Sequence, residues 1–396
     1  MADPEASGGD GPLSGLLVVE LGVAVAGPAA AAILGDWGAE VVKLEGPTGD
    51  FQRGNAVKQY FELDNRGKRS ISADLKTPGG IEVALRLIDR ADVLVTNLRL
   101  SALRRLGLDY ESLRRRNRGL VYGLITGYGT EGPAAGKAGY DIGAFWSRAG
   151  VGRSLMRRGG EPPVQRPAMG DHMTALALAG GIAAALTARA TSGVGDFVTT
   201  SLVRNGAYFI GLDLFSELNG MNPQPGFRRT IFNPLLGCYR SSDDKWFWLL
   251  AYQGERHWPN IMRAIEREDL AADPRFANLR AMMENRRDII TVLDEAFSKR
   301  TFAEWAEIFD REDVWWDPIQ NFPDVVADPV MVASNAFREV ADTDMRSVAS
   351  PVDFVGQPMR AFGRAPELGE HTEEVLLELG YTWPEIAALK DSGGVL

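Results

Sequence analysis

Strand-length apolar runs alternating with helical segments limit what the first half of this chain can fold into. Residues 16–21 form such a run, and the Gly/Ala/Pro-rich segment after it places Pro28 where a helix first turn accepts proline. Residues 29–37 then read as a short helix and 40–44 as a second strand. A strand–helix–strand unit of this kind begins a parallel α/β sheet. The alternation continues with a helix at 79–90, a strand at 93–97, helices at 102–106 and 110–116, and strands at 120–126 and 197–201. No G-x-G-x-x-G follows the first strand, so a dinucleotide-binding reading lacks its phosphate loop.

The second half is organised differently. Residues 219–233 are rich in Gly, Pro and Asn and read as a linker, and 317–357 read as a second, Pro-rich crossing. Between them, 238–251 alternates as a hairpin with its turn at 241–245, and helices are expected near 257–266, 282–297 and 302–310. This is the pattern of a smaller α+β domain. The chain of 396 residues is long enough for two domains. Its formal net charge of −10 repels phosphate polymers and anionic membranes on average. Cys238 is the only cysteine, and His172, His257 and His371 lack metal-ligand spacing, so no metal is expected. Residues 1–12 lack the basic and apolar regions of a signal peptide and read as a flexible N-terminus. The apolar stretch at 175–190 is interrupted by Gly180, Gly181 and Thr187 and reads as too polar-flanked to span a bilayer. A cytoplasmic protein is the expectation.

Asp171 stands directly before that apolar stretch and reads as the first residue of a helix. There it is either an N-cap, accepting from the N–H of Met173 or Thr174, or a nucleophile beside unpaired N–H groups. Gly170 next to it allows a close approach by a ligand. His172 lies about 100° around the helix from Asp171, which argues against a direct Asp–His dyad. Arg66, Lys68, Arg69 and Lys76, with Arg99, Arg104 and Arg105, form basic clusters that are either a solvated face or a polyphosphate site. The loop 127–133 is Gly-rich, and Tyr140 and Asp141 follow it as a polar pair facing a substrate. Trp315 and Trp316 are either core or the lining of an acyl pocket. His257 reads as a surface or helix-end residue.

Several segments, in order along nearly the whole chain, resemble the class III CoA-transferase family (the CaiB/BaiF type). They are Ala26-Gly27-Pro28, the run from Leu34 to Glu45, Asn65-Arg66-Gly67-Lys68-Arg69-Ser70 and Asp74-Leu75-Lys76. Asn97-Leu98-Arg99, Arg105-Leu106-Gly107-Leu108, the Gly127–Pro133 loop, Gly170-Asp171 and Leu368-Gly369-Glu370-His371-Thr372 complete the set. The resemblance implies a Rossmann-like large domain over 13–218, a linker over 219–235 and a small α+β domain over 236–316. A return linker over 317–360 and a C-terminal segment over 361–396 that completes the large domain would follow. It also implies a homodimer of interlocked rings. The catalytic aspartate falls on Asp171, with Val25, Ala26, Tyr140, Asp141 and His172 around the substrate. Coenzyme A contacts fall on Ala73, Lys76, Asn97, Leu98, Arg105, Leu106 and Lys137.

The implied reaction moves CoA from an acyl-CoA donor to a carboxylic acid acceptor through an Asp171–CoA thioester, without metal or ATP. Racemases of 2-methylacyl-CoA thioesters in the same family carry a histidine where this chain has Tyr140, and a phenol is a poor base at neutral pH. That departure favours transfer over racemisation, the alternative, with a non-catalytic CoA-binding member as a third reading. Leu98 and Leu100-Ser101 depart from the usual Phe and Pro-Gly of the second CoA motif. Tyr252-Gln253-Gly254 stands in place of a glycine-rich closing loop. The segment 141–148 with His172 resembles members handling aryl, 2-hydroxy or bulky steroid acids.

Overall fold

Short Val/Leu/Ile runs buried on both faces build the sheet, as parallel strands covered by helices on each side require. The computed structural model describes residues 11–54, 57–157, 159–223, 233–357, 361 and 363–396. Strands β1 (Leu17–Leu21), β2 (Glu40–Glu45), β3 (Arg69–Ser72), β4 (Val93–Thr96), β5 (Val121–Thr126) and β6 (Phe197–Ser201) pair in parallel in the order β3-β2-β1-β4-β5-β6. Strand β1 pairs with both β2 and β4, so the winding direction reverses between β1 and β4. Ligands of open α/β sheets bind beyond the strand C-termini at such a point.

The connecting helices are α1 (Ala26–Asp36), α2 (Lys58–Asn65), α3 (Pro78–Arg90), α4 (Leu100–Leu106), α5 (Tyr110–Arg114), α6 (Val151–Ser154) and α7 (Met169–Ser192). After β6 come α8 (Leu202–Phe209) and α9 (Gly211–Leu218). Alternation along β1 sorts the core. Val18 packs with Ala30, Leu34, Leu178 and Ile182 of α1 and α7 on one face. Val19 packs with Val83, Leu87 and Ile88 of α3 on the other. Helix α7 is long and apolar enough to cross a membrane by length and composition, despite the interruptions at Gly180, Gly181 and Thr187. Its Ala175, Leu178, Ala179 and Ile182 are buried in the α1-side core.

The described residues fall into two compact units, one within Met1–Ser154, Pro163–Pro223 and Asn335–Leu396, the other within Leu155–Pro162 and Gln224–Ser334. The second unit holds the antiparallel sheet β7 (Cys238–Arg240), β8 (Trp246–Leu249) and β9 (Trp316–Ile319), in that order. Its helices are α10 (Gly254–Ala264), α11 (Leu279–Glu284), α12 (Arg286–Phe297), α13 (Phe302–Arg311), α14 (Phe322–Ala327) and α15 (Pro329–Ala333). The β7–β8 hairpin matches the alternation at 238–251. Residues 317–334, read from sequence as part of a return linker, instead carry β9, α14 and α15 and group with this unit. Of the first linker, residues 224–232 lie outside the described residues, as do 1–10 of the N-terminus. Trp316 packs edge-on to Phe247 and Phe302 as part of the core, and its indole N–H donates to Asp310. His257 is buried under Trp315, not at the surface, with ring centroids 4.6 Å apart.

The chain then returns to the first unit with the hairpin β10 (Phe337–Glu339) and β11 (Arg346–Val348), and ends in α16 (Thr372–Glu378) and α17 (Trp383–Asp391). Val375, Leu376 and Ile386 of the last two helices join the α3-side core.

Candidate active site

At the switch point the β1–α1 loop, the β4–α4 loop, the segment after β5 and the first turn of α7 enclose a cleft of about 260 Å³. Val23, Ala24, Ala26, Asn97, Leu98, Lys137, Tyr140 and Asp171 are among its walls. Residues as far apart in sequence as Val23 and Asp171 therefore meet where the fold places ligands.

Asp171 does not open its helix. Helix α7 begins at Met169 behind Ala168, which takes the left-handed conformation (φ 62°). Asp171 thus sits in the third position, where the N–H groups of Met173 and Thr174 belong to the helix ladder, and it makes no capping bond. The N-cap expectation is corrected. Among the described residues no hydrogen bond reaches its carboxylate. Burial pushes its pKa up to about 7, the neighbouring carboxylate of Asp141 adds to the rise, and His172 opposes it.

The carboxylate that serves the helix start is Asp141, from 29 residues upstream. Its Oδ2 accepts from the Gly170 N–H at 3.3 Å and the Gln165 side-chain N–H at 2.8 Å, and its Oδ1 from the Ile142 N–H at 2.7 Å. Asp141 opens a wide helical turn in which the Ala149 N–H reaches the Ala144 carbonyl. Phe145 of that turn lies against Gly170, where a Cβ would stand 2.5 Å from the ring. Only glycine lets the helix that carries Asp171 come this close. Gly127 and Gly139 meet in the same way, each leaving under 3 Å for a Cβ against the other's Cα. That contact folds the Gly-rich loop back so that Lys137 and Tyr140 overhang the cleft, Tyr140 being 68% exposed.

Asn97 faces the cleft and also joins two strands' loops. Its amide accepts from the Val23 N–H at 2.9 Å and donates to the Val23 carbonyl at 2.7 Å. Ala24, held at φ 64°, donates its N–H to Asp50 at 3.2 Å. Beneath this loop Glu20 binds Lys43 through one oxygen and Lys68 through the other, both at 2.9 Å, with all three side chains buried. Burial alone would raise Glu20, but the two ammonium groups hold it below the usual carboxylate range.

The remaining expectations divide. Leu98 and Ala26 line the cleft, while Val25 is the residue that opens α1. Ala73 is fully buried and bridged to Val395, Lys76 is exposed just beyond it, and Arg105 and Leu106 lie along α4; none of these four borders the cleft. The basic cluster at 66–69 is neither a solvated face nor a phosphate site. Arg66 is committed to Asp36, Lys68 to Glu20, and Arg69 to Glu40, Glu374 and Glu378. His172 turns away from Asp171 and pairs with Asp64, Nε2 to Oδ1 at 3.0 Å. Burial disfavours the imidazolium, yet Asp64 more than compensates and raises its pKa. Asp64 and Gln165 escaped sequence reasoning, since 108 and 24 residues separate them from the partners that give them meaning. Among the described residues no group of three or more His, Cys, Asp or Glu side chains is arrayed to hold a metal ion.

The fold is an α/β one whose switch-point cleft is bordered by a carboxylate that accepts no hydrogen bond among the described residues. The sequence profile of CoA-transferase family III matches residues 13–372, and the chain belongs to that family. It is 34% identical to (R)-2-hydroxy-4-methylpentanoate CoA-transferase of Clostridioides difficile, over 96% of this chain and 98% of that one. It is 29% identical to the alpha-methylacyl-CoA racemase of Homo sapiens, over 95% and 96%. A crystal structure of a CAIB/BAIF family protein from Brucella suis superposes with a TM-score of 0.84 at 30% identity, covering 93% of this chain and all of that one.

Proposed function

We propose that this chain transfers CoA from an acyl-CoA to a carboxylic acid through a thioester on Asp171. The observation that carries the reading is a carboxylate in the switch-point cleft that accepts no hydrogen bond among the described residues and whose pKa burial pushes up to about 7. An ionised Asp171 oxygen attacks the donor thioester carbon, and the tetrahedral oxyanion collapses with loss of CoA thiolate, leaving a mixed anhydride. The thiolate then attacks the Asp171 carbonyl and expels the donor acid as its carboxylate. An acceptor carboxylate runs the two steps backwards. Each intermediate is as activated as the thioester it came from, so neither ATP nor metal enters. The positive end of the α7 dipole favours the negative charge that develops on the oxyanion. Asn97, Leu98 and Lys137 hold the CoA thiol arm, and binding energy from the remote ADP part positions the thioester. By its resemblance to the family we place the active form in the cytoplasm as an interlocked homodimer, and light scattering of the purified protein tests its dimeric mass.

Intact-protein mass spectrometry after mixing with a panel of acyl-CoAs tests the mechanism. We expect a CoA adduct on the wild type that hydroxylamine removes and Asp171→Asn lacks. The 2-hydroxy acid in the bacterial relative's name selects 2-hydroxyacyl-CoAs for the panel. A pKa near 7 also suits Asp171 to proton transfer at the α-carbon, and a racemase is among the relatives. That second reading requires solvent deuterium at the α-carbon of recovered acyl-CoA and no protein adduct.

A further inference from the structure

Helix α7 carries Asp171 and His172 side by side in its first turn, their Cα atoms about 3.8 Å apart. The two side chains meet different surroundings. Asp171 borders the switch-point cleft and accepts no hydrogen bond among the described residues. His172 turns toward α2, where its Nε2 lies 3.0 Å from Asp64 Oδ1. The Asp64 side chain is buried, so salt and water screen this pair little.

Charged groups reach Asp171 from three elements: Asp141 from the wide turn after β5, Asp64 from α2 and His172 from α7 itself. Arg99, Lys137 and Tyr140 border the same cleft. Asp141 is committed to the N–H groups of Ile142 and Gly170 and to Gln165. Arg66, which opposes a charge on His172, is bound to Asp36. Asp141 and Asp64 disfavour an ionised Asp171, whereas His172 favours it, and more strongly than Asp64 disfavours it. A neutral imidazole would leave the two carboxylates unopposed. Burial pushes His172 toward that neutral form, but the hydrogen bond and the charge of Asp64 override burial, with Asp171 acting in the same direction.

Resting on the transferase reading, we infer that Asp64 and His172 are a positioning pair for the reaction: Asp64 holds the His172 imidazolium at the first turn of α7, and that cation keeps Asp171 in the ionised form that attacks the thioester. Both act through Asp171 and need no contact with the reacting atoms. The side chain of His172 can therefore point away from the Asp171 carboxylate and still serve it, because a charge acts across a distance at which a hydrogen bond cannot form.

The test is the pH dependence of adduct formation on Asp171 in the full-length protein. Intact-protein mass spectrometry follows single turnovers with acetyl-CoA and 2-hydroxy-4-methylpentanoyl-CoA from about pH 5.5 to about pH 8.5. His172→Gln keeps an amide N–H for Asp64 and removes the cation. It should move the midpoint of the profile up by about one pH unit, a loss of about tenfold near pH 6 that shrinks toward the alkaline end. His172→Lys keeps a cation within reach of Asp64 and should bring the midpoint back toward that of the wild type. Both variants lose the imidazole, so packing effects are common to them and only charge separates them. Asp64→Asn should move the midpoint up as well, but less, because it also removes one of the opposing carboxylates. Equal midpoints in the Gln and Lys variants, a loss of the same size at every pH, or a downward move in Asp64→Asn overturns the inference. A second readout needs no turnover. Adding Asp171→Asn should raise thermal stability at pH 8 more in the His172→Gln protein than in the wild type, and an equal gain also overturns the pairing. The two levels separate cleanly: no adduct on the wild type with any donor defeats the transferase reading itself, whereas an adduct whose midpoint ignores His172 defeats only the role of the pair.

Discussion

At the scale of single residues, the ionisation of Asp171 makes two linked demands. Its folded pKa of about 7 lies above the ordinary value of 3.8, so the folded state keeps a proton that the unfolded chain has already released. Stability therefore falls as pH rises between those two values, and above pH 7 the buried charge costs on the order of 2–4 kcal/mol. In the proposed mechanism catalysis runs the opposite way, because only the ionised carboxylate attacks. We expect kcat/KM to rise with pH up to about 7 and then level off. Asp171→Asn should abolish turnover, match the wild type in stability near pH 4 and exceed it at pH 8, since the carboxylate gives up no hydrogen bond. Thermal melts of both proteins across that range check the sign; an Asn variant less stable at pH 8 would contradict the buried-charge account. That Asp171 stands at the start of a buried helix was legible in sequence from the apolar run that follows it. Its place in the helix was not, because the group that caps the helix, Asp141, arrives from a distant turn.

At the scale of elements, the start of α7 is set by two contacts on one glycine. Substituting alanine for glycine inside a helix ordinarily stabilises by about 1 kcal/mol. At Gly170 the added Cβ would stand 2.5 Å from Phe145 Cγ and 3.0 Å from Asp141 Cβ. Overpacking of that kind costs about 1–3 kcal/mol, so the sign should reverse. Gly170→Ala is expected to be less stable and to lose activity, as α7 shifts its first turn away from Asp141; denaturant titration and kcat measure the two. A Gly170→Ala protein more stable than wild type would show that the helix start has room to relax. The same reasoning explains which elements the sequence disclosed. Strands β1, β4, β5 and β6 and helix α3 stand out because burial on one or two faces imposes an apolar period. The four residues of β3 (Arg-Ser-Ile-Ser) and the charged α2 do not stand out, since their polar side chains find partners inside the protein. Arg69 looked like a phosphate ligand only because Glu374 and Glu378, which bind it, lie some 300 residues further on.

At the scale of the whole molecule, the floor of the cleft is held by buried charge as much as by apolar packing. Glu20 of β1, Lys43 of β2 and Lys68, just before β3, join three neighbouring strands, and Asp50 adds a second carboxylate at 3.4 Å from Lys43. The same groups hold the β1–α1 loop. Glu20 accepts from the Gly22 N–H, Lys43 donates to the Gly22 carbonyl, and Asp50 accepts from the Ala24 N–H. The members are not equivalent. Lys43 has two carboxylates within reach and its pKa is raised despite burial, whereas burial pulls Lys68 down to about 8, because its one carboxylate is shared and Lys43 repels it. Removing the shared carboxylate should therefore do the most harm. Glu20→Gln leaves two buried ammonium groups facing one carboxylate and should cost about 3–5 kcal/mol. Lys68→Met leaves the Glu20–Lys43–Asp50 set intact and should cost less than half as much. Urea unfolding of the two variants ranks them, and kcat/KM on the preferred acyl-CoA should fall in the same order, because the loop carrying Val23 and Ala24 loses its anchors with Glu20. If Lys68→Met proves the more damaging, the carbonyls of Pro28 and Asp64 that Lys68 also satisfies, and not the shared carboxylate, hold this part of the fold together.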